Sequence, residues 1–90
     1  MSASPKLVLD EESVETILAL PSATRRRILA VLYQLRQARP QETEDYTERD
    51  ATGRLISVKA IRPVMIHYWL DGAVDEFRVI RVTLVKPWNR

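Results

Sequence analysis

The stretch that decides the fold is "RDATGRLISVKAIRPVMIHYWLD", residues 49–71. It opens with a turn signature at residues 50–53, in which Gly53 can adopt a positive φ. Two runs rich in β-branched and aromatic residues follow, at residues 54–61 and 64–70. The stretch therefore predicts two consecutive β-strands.

The residues that precede this stretch carry a strand pattern and then two helix patterns. Residues 6–9 alternate weakly and predict a short edge strand. Asp10 is a candidate N-cap for a short amphipathic helix, which should end before Pro21. A second helix is predicted from Ser22, as its N-cap, to about Ala38. Because so few residues join the two helices, we expect an antiparallel helical hairpin.

The remaining segments complete a sheet. Residues 40–48 are polar and acidic, and they predict a loop that leads into an outer strand at about 45–49. Asp71-Gly72 is the strongest hairpin signal of the chain, and residues 76–85 predict a final strand. The expected fold is α+β, with a two-helix hairpin on one face of a mostly antiparallel sheet of four to five strands. The other face of the sheet stays open.

Composition excludes several classes of protein. Ninety residues predict one domain, 1–90, and 46% hydrophobic with 29% charged residues is typical of a globular protein. No apolar run approaches a membrane helix and the start lacks a signal-peptide core, so we expect a cytoplasmic protein without membrane contact. With no cysteine and one histidine, neither a disulfide nor a metal cluster is expected, and two glycines give no phosphate loop. We therefore expect no cofactor.

The charge is distributed unevenly. Residues 1–48 hold six basic and eight acidic side chains, a net charge of −2, whereas residues 49–90 hold eight basic and four acidic ones, a net charge of +4. The C-terminal half therefore has the sign expected for a phosphate-bearing or acidic partner. Residues 25–27 are three arginines in the first turn of a predicted helix, where cations are slightly unfavourable. Two interpretations of this triplet stand: a binding surface for an acidic partner, and a patch that is simply solvated.

Side chains alternate between the faces of a strand, so the predicted strands can be sorted by parity. In the first long strand the apolar set is Ile56, Val58 and Ala60, and we expect it to face the helices. A bulge near residues 79–80 brings the last strand into line, with Ile80 pointing inwards. The open face is then predicted to carry Lys59, His67, Trp69, Arg81 and Thr83.

Cations beside an aromatic ring on an exposed sheet suit RNA binding through backbone contacts and base stacking. The alternatives are structural: Trp69 as an aromatic cross-strand partner, His67 as a strand residue without chemistry, and Lys59 and Arg81 as a solvated face. No catalytic motif of another kind is present, because the chain has neither a Gly-x-Ser-x-Gly sequence nor a cysteine.

The segments "LDEESVETILALPSATRRRILAVLYQLRQARP", "RDATGRLISVKAIRPVMIHYWLD" and "EFRVIRVTLV" together resemble the RelE/ParE family of type II toxin–antitoxin toxins. Shared features are the Leu-Pro and Arg-x-x-Ile-Leu rhythm of the helices, a Gly-Arg-led strand, and a strand with an Ile-x-Tyr-x-hydrophobic-Asp rhythm. The resemblance covers roughly residues 6–85. It implies a small domain that a cognate antitoxin protein neutralises.

The RelE-like branch of this family cleaves mRNA on the ribosome, with cations and aromatic groups on the open sheet face. For an endoribonuclease of this kind, the catalytic candidates are Lys59, which matches a basic position on the family's Gly-Arg-led strand, and His67 and Arg81, which the parity of the strands places on the same predicted face. The candidates for contact with RNA or another target are Arg54, Arg62, Trp69 and Lys86.

Two positions depart from the family pattern. Met65 stands where an arginine usually opens the strand, three residues before the strand tyrosine, Tyr68. The basic cluster that usually follows the last strand is mostly absent. Three hypotheses therefore stand: a RelE-like endoribonuclease, a ParE-like or degenerate toxin that binds DNA gyrase without catalysis, and an unrelated small α+β interaction module.

Overall fold

The computed structural model describes residues 4–85. It contains five strands and three helices in the order β1 (Lys6–Leu9), α1 (Glu11–Leu18), α2 (Ser22–Leu35), α3 (Pro40–Thr43), β2 (Tyr46–Arg49), β3 (Leu55–Ile61), β4 (Val64–Asp71) and β5 (Glu76–Leu84). The strands form one sheet in the order β1-β5-β4-β3-β2. β1 is parallel to β5, and the other three pairings are antiparallel. The α+β fold with a mostly antiparallel sheet is therefore confirmed.

The helix boundaries follow proline and capping chemistry. Asp10 caps α1 as predicted, because its Oδ1 accepts a hydrogen bond from the backbone N–H of Ser13 at 2.9 Å. The N-cap of α2 is Pro21 rather than Ser22, since Pro21 is extended (ψ 149°) and Ser22 is already helical. α2 also ends earlier than predicted, at Leu35, and residues 36–38 continue as a turn.

The short helix α3 is absent from the sequence prediction, which assigned residues 40–48 to a loop and an outer strand. Pro40 occupies its first position, where the missing N–H costs nothing, and this side chain is buried. Thr43 Oγ1 lies 2.7 Å from Tyr68 Oη, so the helix is fastened to the centre of the sheet. The predicted outer strand is present as β2.

The core lies between the sheet and the helices α1 and α2. Ile17 of α1 and Ile28 and Leu32 of α2 pack on the sheet with at most 2% of their surface exposed. Tyr68 and Phe77 stack in the same core with their ring centroids 5.0 Å apart. The sheet residues of this core all belong to one face: Ile61, Val64, Ile66, Tyr68, Phe77, Val79 and Val82. The sheet face that α1 and α2 do not cover is called the open face below.

The parity predicted for β3 is wrong. Val58 is paired with His67 and Lys59 with Ile66, and directly paired residues share a face. Ile56 and Val58 therefore lie on the open face, outside the main core, although both are buried. The physical reason is that the helix side of β3 meets polar groups around α3. Ser57 Oγ donates a hydrogen bond to Glu44 Oε1 at 2.6 Å on that side.

The last strand contains the predicted bulge. His67 is paired with Arg81 and Tyr68 with Val79, so Ile80 is the extra residue. The inward position predicted for Ile80 is wrong, because it lines a depression on the open face beside Arg81. The β4–β5 hairpin is at the predicted place, but its loop spans residues 72–75, and the positive φ (56°) falls on Asp75. Among residues 4–85, no helix has the length and apolar character to cross a membrane.

Candidate functional site

His67 is at the centre of the open face. It lies in the middle of β4, between Val58 of β3 and Arg81 of β5, and only 5% of its surface is exposed. Its ring nitrogens both have neighbours: Nδ1 lies 2.9 Å from Glu48 Oε2, and Nε2 lies 3.4 Å from Thr83 Oγ1. Because a carboxylate can only accept, the Nδ1–H of the ring donates to Glu48, whereas the Thr83 hydroxyl can donate or accept.

A carboxylate and a guanidinium meet beside this histidine. Arg81 Nη2 donates to Glu48 Oε2 at 3.0 Å and lies 3.4 Å from His67 Nδ1. One oxygen of Glu48 is therefore the acceptor shared by Arg81 and His67. We call these three residues the Glu48–His67–Arg81 cluster.

The ion pair of this cluster spans the sheet. Glu48 is on the edge strand β2 and Arg81 on β5, with β3 and β4 between them. Three inter-strand steps separate their backbones by about 14 Å, so both long side chains must reach across the open face. This bridge passes over the middle strands, in which His67 and Val58 are buried on the face that α1 and α2 do not cover. We call it the Glu48–Arg81 bridge. A depression of about 410 Å³ lies next to it, lined by Arg49, Ile56 and Ile80.

An aromatic platform lies two residues along β4 from His67. The guanidinium carbon of Arg54 is 4.1 Å from the centre of the Trp69 ring, within the range of a cation–π contact. Arg78 is the direct partner of Trp69 on β5, and it forms ion pairs with Asp71 at 3.6 Å and Glu76 at 2.7 Å. The open face thus offers an aromatic ring with arginines on both sides.

Lys59 is not on this face. The prediction that it shares a face with His67 and Trp69 is wrong, because Lys59 is paired with Ile66 on the helix side of the sheet. There its Nζ lies 3.7 Å from Asp45 Oδ1. Ser57 and Lys59 are polar because this part of β3 faces Glu44 and Asp45 rather than α1 or α2.

The other predicted residues are scattered. His67, Trp69, Arg81 and Thr83 lie on the open face, as predicted, and Met65 lies beside Thr83 on the same face. Arg62 is exposed in the β3–β4 turn, away from the cluster. Lys86 lies outside the described residues.

Glu48 is the functional candidate that sequence reasoning missed. Nothing local distinguishes Glu48 from its neighbours within residues 46–49. A signal was available in the alternation of β2, where Glu48 falls on the same face as Tyr46. Only the observed register, Glu48 opposite Ile56, brings that face to His67.

Two titratable groups near the site have shifted pKa values. The hydroxyl of Thr52 donates to Asp50 at 2.6 Å, and this bond is the main reason that the pKa of Asp50 is lowered. Burial raises the pKa of Tyr68, and the nearby carboxylates of Glu44 and Asp45 act in the same direction. Asp50 lies in the turn between β2 and β3 and Tyr68 in the core, and neither belongs to the Glu48–His67–Arg81 cluster.

The cluster combines the groups needed for phosphodiester chemistry without a metal. A carboxylate or imidazole can accept the proton of a hydroxyl nucleophile, and an arginine can stabilise the charge that develops on a phosphate. In residues 4–85, no three His, Cys, Asp or Glu side chains are grouped as metal ligands. The bridge must open before a phosphate can reach His67. Its arginine is 57% exposed, and ion pairs of such exposure contribute only about 0–1 kcal/mol, so opening costs little.

Comparison of the chain with protein-family models and with curated protein sequences gives no match. The function is therefore inferred from the fold and from the Glu48–His67–Arg81 cluster.

Proposed function

We propose that this protein is the toxin of a bacterial type II toxin–antitoxin system, of RelE-like type, which blocks translation by cleaving mRNA on the ribosome. The observation that carries the proposal is the meeting of His67 Nδ1 and Arg81 Nη2 on Glu48 Oε2, at 2.9 and 3.0 Å. The sequence resemblance and the arrangement of two helices on one sheet face support the same proposal. Its cognate antitoxin and the ribosome are the proposed partners.

The proposed reaction is the attack of a ribose 2′-hydroxyl on the adjacent phosphorus. When the bridge opens, Glu48 and His67 accept the proton of that hydroxyl, either directly or through each other. Arg81, released from Glu48, binds the phosphate oxygens and stabilises the five-coordinate transition state. The bond from phosphorus to the 5′-oxygen then breaks, and the proton taken from the 2′-hydroxyl is passed from Glu48 and His67 to that oxygen, leaving a cyclic phosphate on one fragment and a hydroxyl on the other. RNA is required because DNA lacks the attacking hydroxyl.

A second candidate function is binding without catalysis, as in ParE-like gyrase inhibitors. The observation that favours it is the closure of the site: the side chain of His67 is 7% exposed and Met65 replaces the expected arginine. In this case the Glu48–Arg81 bridge serves only to cover the middle of the sheet. The third hypothesis, an unrelated interaction module, predicts no toxicity at all.

Induced expression separates these functions. The RelE-like proposal predicts rapid translation arrest, with mRNA cuts phased to codons and suppressed by Arg81→Ala. Cell filamentation with DNA damage, and intact mRNA, would instead support gyrase inhibition. A protein that accumulates in folded form and causes neither effect overturns both toxin proposals. The control variant is Glu15→Gln, because Glu15 is exposed. Arg36→Ala is unsuitable as a control, because the Arg36 side chain donates a hydrogen bond to the Pro5 carbonyl.

A further inference from the structure

The arginines of the open face are largely neutralised. Arg54 forms an ion pair with Asp50, Arg78 with Asp71 and Glu76, and Arg81 with Glu48. Three arginines thus meet four carboxylates on this face. The open face carries the chemistry, but it supplies little net positive charge to attract a polyanion over a distance.

Among the described residues, a group of arginines without a carboxylate partner lies elsewhere, at the start of α2. This turn contains Arg25, Arg26 and Arg27 and no acidic residue. Arg25 is used internally, because its Nη1 donates to the carbonyls of Leu18 and Leu20 at 3.3 and 3.2 Å, at the end of α1. Arg26 and Arg27 are exposed.

A contact between α2 and the sheet adds a further arginine. Arg27 Nη2 donates to the backbone carbonyl of Arg62, which fastens the β3–β4 turn beside α2. The side chain of Arg62 is also exposed. Within the described part of the chain, Arg26, Arg27 and Arg62 form no ion pair with a carboxylate, whereas Arg54, Lys59 and Arg81 each form one and Arg78 forms two. We call Arg26, Arg27 and Arg62 the basic patch.

We propose that the basic patch binds the phosphate backbone of single-stranded RNA and holds the strand whose next phosphates reach the Glu48–His67–Arg81 cluster. The inference rests on the proposed action on RNA. His67 is four residues along the chain from Pro63, about 13 Å in an extended strand, so a single RNA strand can contact both. Guanidinium groups suit this role because they bind phosphate oxygens in a bidentate manner.

There is a physical reason to bind the RNA backbone at the basic patch and to carry out the reaction at the cluster. Contacts to phosphates position a nucleic acid without reading its sequence, and they dominate its affinity. Placing them outside the cluster leaves Arg81 free to respond to the reacting phosphate alone.

The test measures binding of the full chain to a fluorescein-labelled, 2′-O-methylated single-stranded RNA, which cannot be cleaved by its own 2′-hydroxyl. The patch variant is Arg26→Gln/Arg27→Gln/Arg62→Gln. The control variant, Lys6→Gln/Arg39→Gln/Lys59→Gln, removes the same charge from residues away from the basic patch and the cluster. Both are titrated by anisotropy at several salt concentrations.

The patch variant should bind at least about tenfold more weakly at low salt, with a log–log salt slope smaller by about 2, since each single-strand phosphate contact contributes about 0.7. The control should lose no more than about twofold, with a nearly unchanged slope. Equal losses in the two variants, or an unchanged slope in the patch variant, would overturn the inference. So would tighter binding of a poly-glutamate peptide than of RNA of equal charge.

Two further readouts keep the conclusions separate. If the triple variant fails to fold, Arg62→Gln alone should lower the slope by about 0.7, because the bond from Arg27 uses the Arg62 backbone carbonyl and survives. Patch-dependent RNA binding by a protein that cuts no mRNA supports the patch and overturns the cleavage proposal. Cleavage by a protein whose RNA binding ignores the patch overturns the patch alone.

Discussion

Glu48 and Arg81 are joined by a 3.0 Å hydrogen bond although two strands of the sheet separate their own strands. The bond encloses His67, whose Nδ1 is 2.9 Å from the same carboxylate oxygen. A histidine in the middle of a strand is thereby buried without any helix above it. The relationship makes Glu48 the residue whose substitution is most informative.

Glu48→Gln should lower the rate of RNA cleavage by about 10²-fold or more, because an amide cannot accept the proton of the 2′-hydroxyl. The first-order rate on ribosome-bound mRNA measures this effect. Glu15→Gln, which removes the same charge from the exposed surface of α1, should leave the rate unchanged. A faster Glu48→Gln variant would mean that the carboxylate blocks the site rather than acting in it.

Lys59 and Arg81 should respond differently to truncation, since they lie on opposite faces. Arg81→Ala should reduce cleavage by about 10²-fold or more through loss of transition-state stabilisation. Lys59→Ala should leave cleavage nearly unchanged and cost about 0.2–1 kcal/mol in the free energy of unfolding, as expected for its exposed pair with Asp45. Rates and urea denaturation of both variants check this, and an inactive but folded Lys59→Ala protein would contradict the assignment of faces.

Tyr68→Phe should destabilise the fold by about 1 kcal/mol at neutral pH, because Thr43 Oγ1 loses its 2.7 Å hydrogen-bond partner in a partly buried position. Tyr33→Phe is the matched control, since the Tyr33 side chain is exposed. Urea denaturation followed by circular dichroism gives both values. Equal stabilities of the two variants would show that α3 is not held through this hydroxyl.

Because of Tyr68, we also expect the free energy of unfolding to fall at alkaline pH. The folded pKa of Tyr68 is raised above its ordinary value of 10.0, mainly by burial. The folded state therefore holds the proton of Tyr68 more tightly than the unfolded state. The contribution of this group to the free energy of unfolding is complete below pH 10 and is lost as the pH rises through the folded pKa. Unfolding free energies measured between about pH 9 and 11 should fall more steeply for the wild type than for Tyr68→Phe.

For Asp50 we expect the opposite pH dependence, namely a free energy of unfolding that falls as the solution becomes acidic. Its folded pKa is lowered below 3.8, chiefly by the hydroxyl of Thr52, so its contribution is present above that pH and is lost as the pH falls. In Asp50→Asn this part of the acid dependence should disappear, which unfolding midpoints between about pH 2.5 and 6 would reveal. An identical acid profile in both proteins would contradict the role of the turn.

The order of elements could be predicted because hydrophobic periods, prolines and turn residues are local signals. Asp10, Pro21 and Asp71-Gly72 place helix and strand ends within a few residues of those observed. The bulge at Ile80 was also visible, since the parity of apolar residues changes there. These features depend on neighbours in sequence.

The faces of β3 could not be predicted from its own residues. Ile56 and Val58 are more apolar than Ser57 and Lys59, and the apolar set was therefore assigned to the helices. The structure places polar groups, Glu44 among them, on the helix side at this point. Which environment each face meets depends on the unpredicted helix α3. For the same reason the meeting of Glu48 with His67 could not be foreseen, because it requires the register of β2.

The parallel pairing of β1 with β5 has a consequence for synthesis on the ribosome. Lys6 is the partner of Glu76, so the first strand made has to wait for the last one. A nascent chain that stops before β5 lacks the strand that joins β1 to the rest of the sheet, and it also lacks Arg81. Such distant pairing delays completion of the sheet until β5 has been synthesised. Chains from interrupted translation are therefore expected to lack both the complete sheet and the Glu48–His67–Arg81 cluster.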